Sequence, residues 1–391
     1  MLEELNPWWI GEKDKDLKEL ENLKYFIYPK WIDKISLTPF SLNFIIGLRR
    51  VGKTIGIKLL IEKLLRKIKN PFSIFYFSCD ILESYRDLLE IIEEYRKIKK
   101  RKGIKTSFIF LDEITLLEDW WRAIKFAIDR HWFDNDALVL SGSSSLLIKQ
   151  HLETFGGRKG KGKTIEVYPL NFYEYYSLFF KEFFQRKGRE VFENYLETGG
   201  FLAVLNEKLT DYEYISIIKA DIKKIERSTD IARDIVRSIF LKAPNAFSYH
   251  SIARDLGISV NTVREYIEIF KNMFLLTEVN YIGLDGKVYS RKEKKFVVRD
   301  PFLARALALW TKTDLKKDFL YEWVVQEHLF RKFGEIYYFK NSYEIDCIAG
   351  NLKVEVKAGK PHRKYPKGVR VLEEQDIPRF LIELFSKKKS R

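Results

Sequence analysis

The chain has 391 residues, which predicts two or three domains because a single domain rarely exceeds about 250 residues. Hydrophobic residues make up 46% of the sequence and aromatic residues 15%, which excludes a mainly disordered chain. The 70 Lys and Arg outnumber the 55 Asp and Glu, and the resulting net charge of +15 favours an acidic partner such as nucleic acid. Acidic and basic residues are interleaved, so an ordinary solvated surface also fits this charge.

The cysteines and the N-terminus limit the environment of the protein. Cys79 and Cys347 lie far apart in apolar, strand-like runs, so we expect buried thiols and neither a disulfide framework nor a zinc site. The N-terminus is acidic, and no apolar run reaches about 18 residues, so neither a signal peptide nor a membrane span is predicted. We therefore expect a cytoplasmic protein. Abundant Lys, Glu and Ile with only 2 Met indicate a thermophilic source.

Strands and helices alternate in the first 170 residues. Residues 1–40 form a leader that contains Trp8 and Trp9 and is expected to pack on the core. Helical periodicity follows over 53–67 and 84–100. The predicted strands are 42–46, 73–78, 107–111, 137–140 and 164–167. Because strands that alternate with helices form parallel sheets covered on both faces, the sequence predicts an α/β domain with a parallel sheet flanked by helices.

The character of the sequence changes after Pro169. Residues 170–235 are predicted to be helical, and 236–300 to form a compact helical unit followed by a hairpin with Asp285-Gly286 at its turn. From Asp314 a long helix leads into a β-rich tail. The predicted segments are a leader over 1–40, an α/β domain over 41–170, a helical region with the hairpin over 171–312 and a small α/β domain over 313–391.

A complete phosphate-binding loop, G-x-x-x-x-G-K-[ST], follows the first predicted strand and opens the first long helix. Its residues are Gly47, Leu48, Arg49, Arg50, Val51, Gly52, Lys53 and Thr54. The backbone N–H groups of such a loop surround phosphate oxygens at the N-terminus of the helix. We expect Lys53 to reach the β- and γ-phosphates and Thr54 to place its hydroxyl on Mg²⁺. ATP is favoured over GTP, because the only [NT]-K-x-D sequence, at 311–314, lies far from the predicted sheet.

Two carboxylates end the third predicted strand. Asp112 and Glu113 follow an apolar run, so they lie at the carboxyl edge of the sheet, where ligands bind in such folds. We expect Asp112 to hold Mg²⁺ through water and Glu113 to activate the attacking water.

Further polar residues lie near this edge. Ser141 or Ser143, at the end of the fourth strand, could sense the γ-phosphate, and an ordinary serine turn fits equally well. Arg158 could stabilise charge in the transition state, within its own subunit or in a neighbour, which allows for a homo-oligomer. Several lysines surround Arg158, so a solvated basic loop is an equal alternative.

The order of these motifs resembles that of the AAA-type ATPases of archaea and bacteria that carry a winged-helix segment and, often, a restriction-endonuclease-like C-terminal domain. The resemblance rests on the phosphate loop at 47–54, the Leu111-Asp112-Glu113 tip, the 140–144 turn, the 167–172 segment and the Asn6-Pro7-Trp8-Trp9 leader of archaeal members. It implies ATP and Mg²⁺ as cofactors and a sheet in which the strand before the phosphate loop is central. The Lys-rich stretch 158–163 departs from the family pattern.

Residues 248–256 and 259–271 are predicted to form two helices joined by a turn, and the hairpin over 275–298 follows them. Together they resemble a winged helix, which would lie within the 171–312 segment. The side chains expected to face DNA are Asn261, Thr262, Arg264, Lys287 and Arg291. A purely structural or protein-binding role for this unit is the alternative.

The tail over 313–391 resembles the D…E-x-K core of restriction-type nucleases. Asp346 and Glu355 fall on neighbouring predicted strands, and Lys357 shares a strand face with Glu355. In such nucleases the two carboxylates hold Mg²⁺ and the lysine orients a water, with Glu322 or Glu327 as an outer acidic group. A cross-strand salt-bridge cluster is the alternative.

Three functions follow from these patterns. The first is an ATP-hydrolysing protein that acts on DNA. The second is a nucleotide-dependent switch that binds a protein partner and carries an inert nuclease-like tail. The third is an ATP-gated, Mg²⁺-dependent nuclease.

Overall fold

The computed structural model describes residues 2–142, 148–149, 151–357 and 365–386. The chain divides into two compact units, Met1–Tyr168 and Pro169–Arg391. This division lies near the predicted boundary at 170/171. The other two predicted boundaries, at 40/41 and 312/313, stay predictions.

The first unit is built on a five-stranded sheet in the order β2-β3-β4-β1-β5, with every pair of neighbours parallel. The strands are β1 Ser41–Gly47, β2 Ile74–Ser78, β3 Phe108–Asp112, β4 Ala137–Ser141 and β5 Thr164–Val167. The middle strands are buried along their length, as expected for a sheet that has helices on both faces. The predicted α/β fold with a parallel sheet is confirmed, and the strand before the phosphate loop is an interior one, between β4 and β5.

The helices of this unit follow their capping signals. They are α1 Leu2–Leu5, α2 Lys15–Leu20, α3 Lys53–Leu65, α4 Tyr85–Arg101 and α5 Trp120–Asp129, with 3-10 turns at Pro7–Ile10, Lys30–Lys34, Pro71–Ser73, Cys79–Ile81, Ile114–Leu116 and Leu152–Phe155. Ser84 and Asp87 form a capping box at the start of α4, and basic residues fill its last turn, where they complement the helix dipole. The sequence interpretation did not include α5.

The leader completes the hydrogen bonding of the edge strand β2. The buried amide of Asn6 donates to Tyr76 O (2.9 Å) and accepts from Tyr76 N (2.7 Å). The indole N–H groups of Trp8 and Trp9 both donate to Ile74 O, at 3.1 and 3.0 Å. These backbone groups face away from β3, so the leader supplies the partners that an edge strand lacks. It fixes the position of Tyr76, whose side chain reaches the acidic pair.

The second unit contains ten helices within the described part of the chain. They are α6 Phe172–Ser177, α7 Gln185–Thr198, α8 Leu202–Leu205, α9 Asp211–Lys224, α10 Thr229–Lys242, α11 Tyr249–Leu256, α12 Val260–Asn272, α13 Pro301–Thr311, α14 Lys317–Phe333 and α15 Ile377–Phe385. None of the helices in the described ranges is both long and apolar enough to cross a membrane.

The predicted helix pair is present as α11 and α12. Ser248 caps α11 by accepting from Ser251 N, and Ser259 caps α12 by accepting from Thr262 N. Gly257 ends α11 in the left-handed conformation with φ 65°, which glycine adopts without strain. The serine and glycine signals therefore set the turn between the two helices.

The strands of this unit form one seven-stranded sheet. They are β6 Leu276–Ile282, β7 Val288–Tyr289, β8 Lys295–Val298, β9 Tyr337–Lys340, β10 Glu344–Ala349, β11 Leu352–Lys357 and β12 Val369–Glu373. The order is β12-β11-β10-β9-β6-β7, and β8 also pairs with β6. The hairpin strand β6 pairs with the tail strand β9 in parallel, with Tyr281 opposite Tyr338. The hairpin and the tail, which were expected in separate segments, thus share a sheet.

Candidate functional site

The phosphate loop lies at the carboxyl edge of the first sheet, between β1 and α3. Gly47 approaches β5 so closely that a Cβ there would lie 2.2 Å from Val167 O. Gly52 caps α3 with φ 93°, a conformation that favours glycine. The two glycines therefore allow the chain to turn sharply from strand to helix, so that the first N–H groups of α3 face the loop.

Lys53 points back into this loop. Its side chain is buried, and Nζ donates to Gly47 O (3.0 Å) and Leu48 O (2.8 Å). An ammonium group held among the loop carbonyls is placed to meet a phosphate that the loop N–H groups bind. Thr54 follows in the first turn of α3 and is half-buried. These residues fit a nucleoside triphosphate with its Mg²⁺.

Asp112 is held at the end of β3 by donors from both neighbouring strands. Tyr76 on β2 donates from its hydroxyl to Oδ2 at 3.1 Å, and Ser141 on β4 donates to Oδ1. Burial and the Asp112 charge raise the pKa of Tyr76, so its phenol stays protonated and remains a donor. Because Asp112 is almost fully buried, these bonds orient its carboxylate.

Glu113 has an unusual backbone. Its φ is 53°, in the left-handed region that non-glycine residues seldom occupy, and its side chain is half-buried. Such strain often accompanies functional positions, because the fold must hold the residue there.

The other residues predicted at this edge have different positions. Ser141 contacts Asp112, whereas Ser143 lies outside the described residues. Arg158 pairs with Asp129 at the end of α5 through Nε–Oδ1 (2.7 Å). The role of Arg158 as an arginine finger stays a prediction.

The predicted DNA-facing residues lie on the surface of the second unit. Asn261 and Arg264 are exposed on α12, and Thr262 is half-buried beside its cap. Lys287 and Arg291 are exposed in the hairpin. Two acidic residues, Glu265 and Glu268, share the exposed face of α12, and the exposed part of the hairpin carries three basic residues against two acidic ones, Asp285 and Glu293.

The carboxylates predicted in the tail converge. Glu355 Oε2 accepts from Asp346 N (3.1 Å), and Asp346 Oδ2 accepts from Val356 N (2.9 Å), so both acids lie on one face of the β10–β11 pair. Lys357 contacts Glu355 Oε1 at 2.5 Å. Of the two glutamates proposed as the outer acid, Glu322 on α14 belongs to this cluster.

Glu327 belongs to a separate buried ion cluster. Its carboxylate accepts from Arg299 Nε (3.1 and 3.2 Å) and from Arg331 Nε (2.8 Å). It is therefore a structural salt bridge at the junction of α14 with the chain that leaves β8.

The sequence interpretation did not include Lys295, which lies in the middle of the tail cluster. This residue on β8 is 3% exposed, and its Nζ lies 2.8 Å from Glu322 Oε1, 2.8 Å from Asp346 Oδ1 and 3.0 Å from Glu344 Oε1. Burial opposes its charge, but the three carboxylates raise the pKa of Lys295 well above its usual value. Burial, and then the Asp346 charge, raise the pKa of Glu322 to about 8 and that of Glu355 to about 7.

A lysine lies at the centre of the tail cluster. In the described ranges, no group of three or more His, Cys, Asp or Glu side chains is placed to hold a metal ion. The Mg²⁺ site expected there from the D…E-x-K pattern stays a prediction.

Two segments of the chain match known families. Residues 40–176 match a family model described as an AAA domain, and residues 189–314 match one described as a domain of unknown function. An uncharacterized protein of Haemophilus influenzae is 23% identical over 282 residues, which cover 68% of this chain and 68% of its own.

Solved structures show a distant likeness. The ORC2 protein of Aeropyrum pernix in its ADPNP-ADP complexes aligns with 70% of this chain and 88% of its own, at 11% identity and a TM-score of 0.42. PCH-2 of C. elegans aligns with 59% and 61% of the two chains, at 14% identity and a TM-score of 0.26. At these scores the likeness carries no argument about function. The segment that contains the phosphate loop and the acidic pair matches an AAA domain.

Proposed function

We propose that the protein binds and hydrolyses ATP at the carboxyl edge of its first sheet and that it acts on DNA. The observation that carries the first part is the convergence of the phosphate loop, the buried Asp112 and its neighbour Glu113 at one sheet edge. The AAA-domain match over the same residues supports it. Steady-state ATP turnover by the purified protein, compared with Lys53→Ala, tests this proposal.

Each residue of the site has a separate task. Lys53 and the N–H groups of α3 bind the phosphates, and Thr54 with Asp112 would hold Mg²⁺. When bound, Mg²⁺ neutralises charge on the phosphates. Glu113 orients the attacking water and accepts its proton. This role requires a carboxylate that lies beside the phosphates and does not bind them. Tyr76 and Ser141 keep the Asp112 carboxylate in one orientation.

We expect Tyr76→Phe to raise the Mg²⁺ concentration needed for half-maximal turnover by about tenfold, because partners of this kind tune metal ligands by about 10–100-fold. The change removes only the hydroxyl that donates to Asp112 Oδ2. A Mg²⁺ titration at saturating ATP measures the effect. Tyr95→Phe is the control, since its hydroxyl donates to Phe72 O instead. If the two variants titrate alike, Tyr76 does not position Asp112.

The DNA part of the proposal rests on the hairpin and α12. The chain carries a net charge of +15, and the exposed hairpin contributes Lys287, Arg291 and Lys292 beside the capped helix pair. A helix pair followed by a basic hairpin is the arrangement with which winged helices contact DNA. A protein partner on the same surface is the competing function.

We expect the triple change Arg264→Glu, Lys287→Glu and Arg291→Glu to weaken DNA binding and to lower the slope of log affinity against log salt by up to about 3, since each phosphate contact contributes about 0.9. Fluorescence anisotropy with a labelled duplex across a salt series measures both quantities. The control is a triple change of equal charge at exposed positions elsewhere in the unit, Arg186, Lys219 and Lys223. An equal loss in both triples would assign the binding to overall charge and not to this surface.

A further inference from the structure

The tail of the second unit contains a closed cluster of buried charges that the proposed ATPase does not use. Its acids are Glu322 on α14, Asp346 on β10 and Glu355 on β11, and each of them is at most 6% exposed. The cation nearest to its centre is Lys295, which comes from β8, far from the other members in sequence. A cation relieves the repulsion among acids that converge in this way, and in this structure that cation is Lys295.

We propose that the Lys295 ammonium is the permanent counter-ion of this cluster, so that the tail binds no divalent cation there and does not act as a metal-dependent nuclease. The ammonium group bridges Glu322 Oε1 and Asp346 Oδ1 at 2.8 Å each, with Glu344 Oε1 at 3.0 Å. The positive charge of Lys295 offsets the negative charges of a helix carboxylate and a strand carboxylate, as a bound metal ion would.

The remaining carboxylate contacts support this assignment. Asp346 Oδ2 accepts from Val356 N (2.9 Å), and Glu355 Oε2 accepts from Asp346 N (3.1 Å). Glu355 Oε1 accepts from Tyr365 (2.9 Å) and contacts Lys357. Every oxygen of Asp346 and Glu355 thus already has a donor. A divalent ion would have to displace Lys295 and to compete with these donors for the same oxygens.

Gln326, which also contacts the cluster, provides a separate observation that supports a cation site here. It is fully buried on α14, and its Nε2 donates to Glu322 Oε1 (3.0 Å) and to Asp346 O (2.9 Å). Its amide oxygen, in the same cluster, is buried and accepts no hydrogen bond. A buried carbonyl oxygen without a donor is unfavourable, and it is a ligand that a hard cation accepts. Removal of the Lys295 charge should therefore leave oxygen ligands ready for a metal.

The proposal has a structural consequence. Lys295 lies on β8, the last strand of the hairpin over 275–298, whereas the acids belong to α14, β10 and β11. The cluster therefore ties β8 to α14 and β10 by charge, in addition to the pairing of β6 with β9. In this account the acidic residues of the nuclease-like pattern hold the hairpin and the tail together as one rigid surface.

Mn²⁺ binding by the full chain without nucleotide tests the proposal. The variants are Lys295→Met, Asp346→Asn and the double change, and electron paramagnetic resonance counts the bound ions in each. Any Mn²⁺ at the phosphate loop is common to all four proteins and cancels. We expect the wild type and Asp346→Asn to bind equal numbers of ions, Lys295→Met to bind one more, and the double variant to lose that ion.

Two results would overturn the proposal. One is an Mn²⁺ ion that the wild type binds and Asp346→Asn does not. The other is a folded Lys295→Met that gains no ion, because the cluster would then not be a cation site at all. If Lys295→Met fails to fold, the comparison of the wild type with Asp346→Asn decides alone. Glu322→Gln replaces Asp346→Asn if that variant is unstable.

Discussion

Glu113→Gln is expected to lower ATP turnover by about 10²–10⁴-fold while ATP binding stays nearly unchanged, since positioned general bases contribute about that much. The substitution keeps the size of the side chain and removes only its ability to accept the proton. The phosphate loop and Asp112 are untouched, so the cradle for the phosphates remains. Turnover at saturating Mg-ATP and equilibrium binding of a fluorescent ATP analogue measure the two quantities separately.

The strained backbone of Glu113 makes the choice of control important. Glu118→Gln changes an exposed glutamate a few residues further along and should leave both turnover and binding as in the wild type. A Glu113→Gln protein that hydrolyses ATP at the wild-type rate would show that another group activates the water.

Glu327→Gln is expected to destabilise the second unit by about 3–5 kcal/mol, the usual effect of breaking a buried ion pair at one partner. Glu327 is 2% exposed and is bonded by both Arg299 and Arg331. Glutamine keeps the volume but takes away the negative charge that the two guanidinium groups share. Urea unfolding followed by tryptophan fluorescence reports the change, because Trp310 and Trp323 are buried in this unit.

An exposed ion pair provides the comparison. Glu190 pairs with Lys187 at 2.7 Å on the surface of α7, where water screens the interaction. Glu190→Gln should therefore unfold at the wild-type urea concentration. Equal unfolding midpoints for the two variants would mean that the Glu327 cluster contributes no more than a surface pair.

The sheet of the first unit was predictable because its signals are local. Buried parallel strands are short apolar runs, and each predicted run lies within a residue or two of its strand, such as 42–46 against Ser41–Gly47. The phosphate loop follows a strand and opens a helix, which is the context that gives the motif its specificity. The sequence did not predict α5, because its apolar residues come soon after those of the turn at Ile114–Leu116 and the start of the helix is not marked by a separate signal.

Contacts between strands were not predictable, because strand order is a property of tertiary structure. Tyr76 reaches Asp112 only because β2 pairs with β3, and Ser141 reaches it from the other side because β4 is the next strand. A polar residue near the end of an apolar run was the available signal. It marked Ser141 as a candidate, whereas Tyr76 resembled an ordinary core aromatic.

The same limit explains the tail. The spacing of Asp346, Glu355 and Lys357 predicted their convergence, since a tight turn joins the two strands. Lys295 belongs to a strand more than 40 residues earlier, and no periodicity connects it with the acids. Lys294 and Lys295 at the end of the run 291–295 are both buried while residues 291–293 are exposed, and of the two only Lys295 reaches the acids of the tail.

ATP turnover measured with and without duplex DNA tests the central claim most directly. Lys53→Ala is the inactive reference. Measurements at about 50 and 200 mM salt separate the effect of charge on DNA binding from other effects. The account predicts Mg²⁺-dependent turnover by the wild type, none by Lys53→Ala, and a change in rate on addition of DNA that weakens at the higher salt concentration. Wild-type turnover no greater than that of Lys53→Ala would contradict the ATPase assignment. Turnover that DNA leaves unchanged at both salt concentrations would contradict the role on DNA.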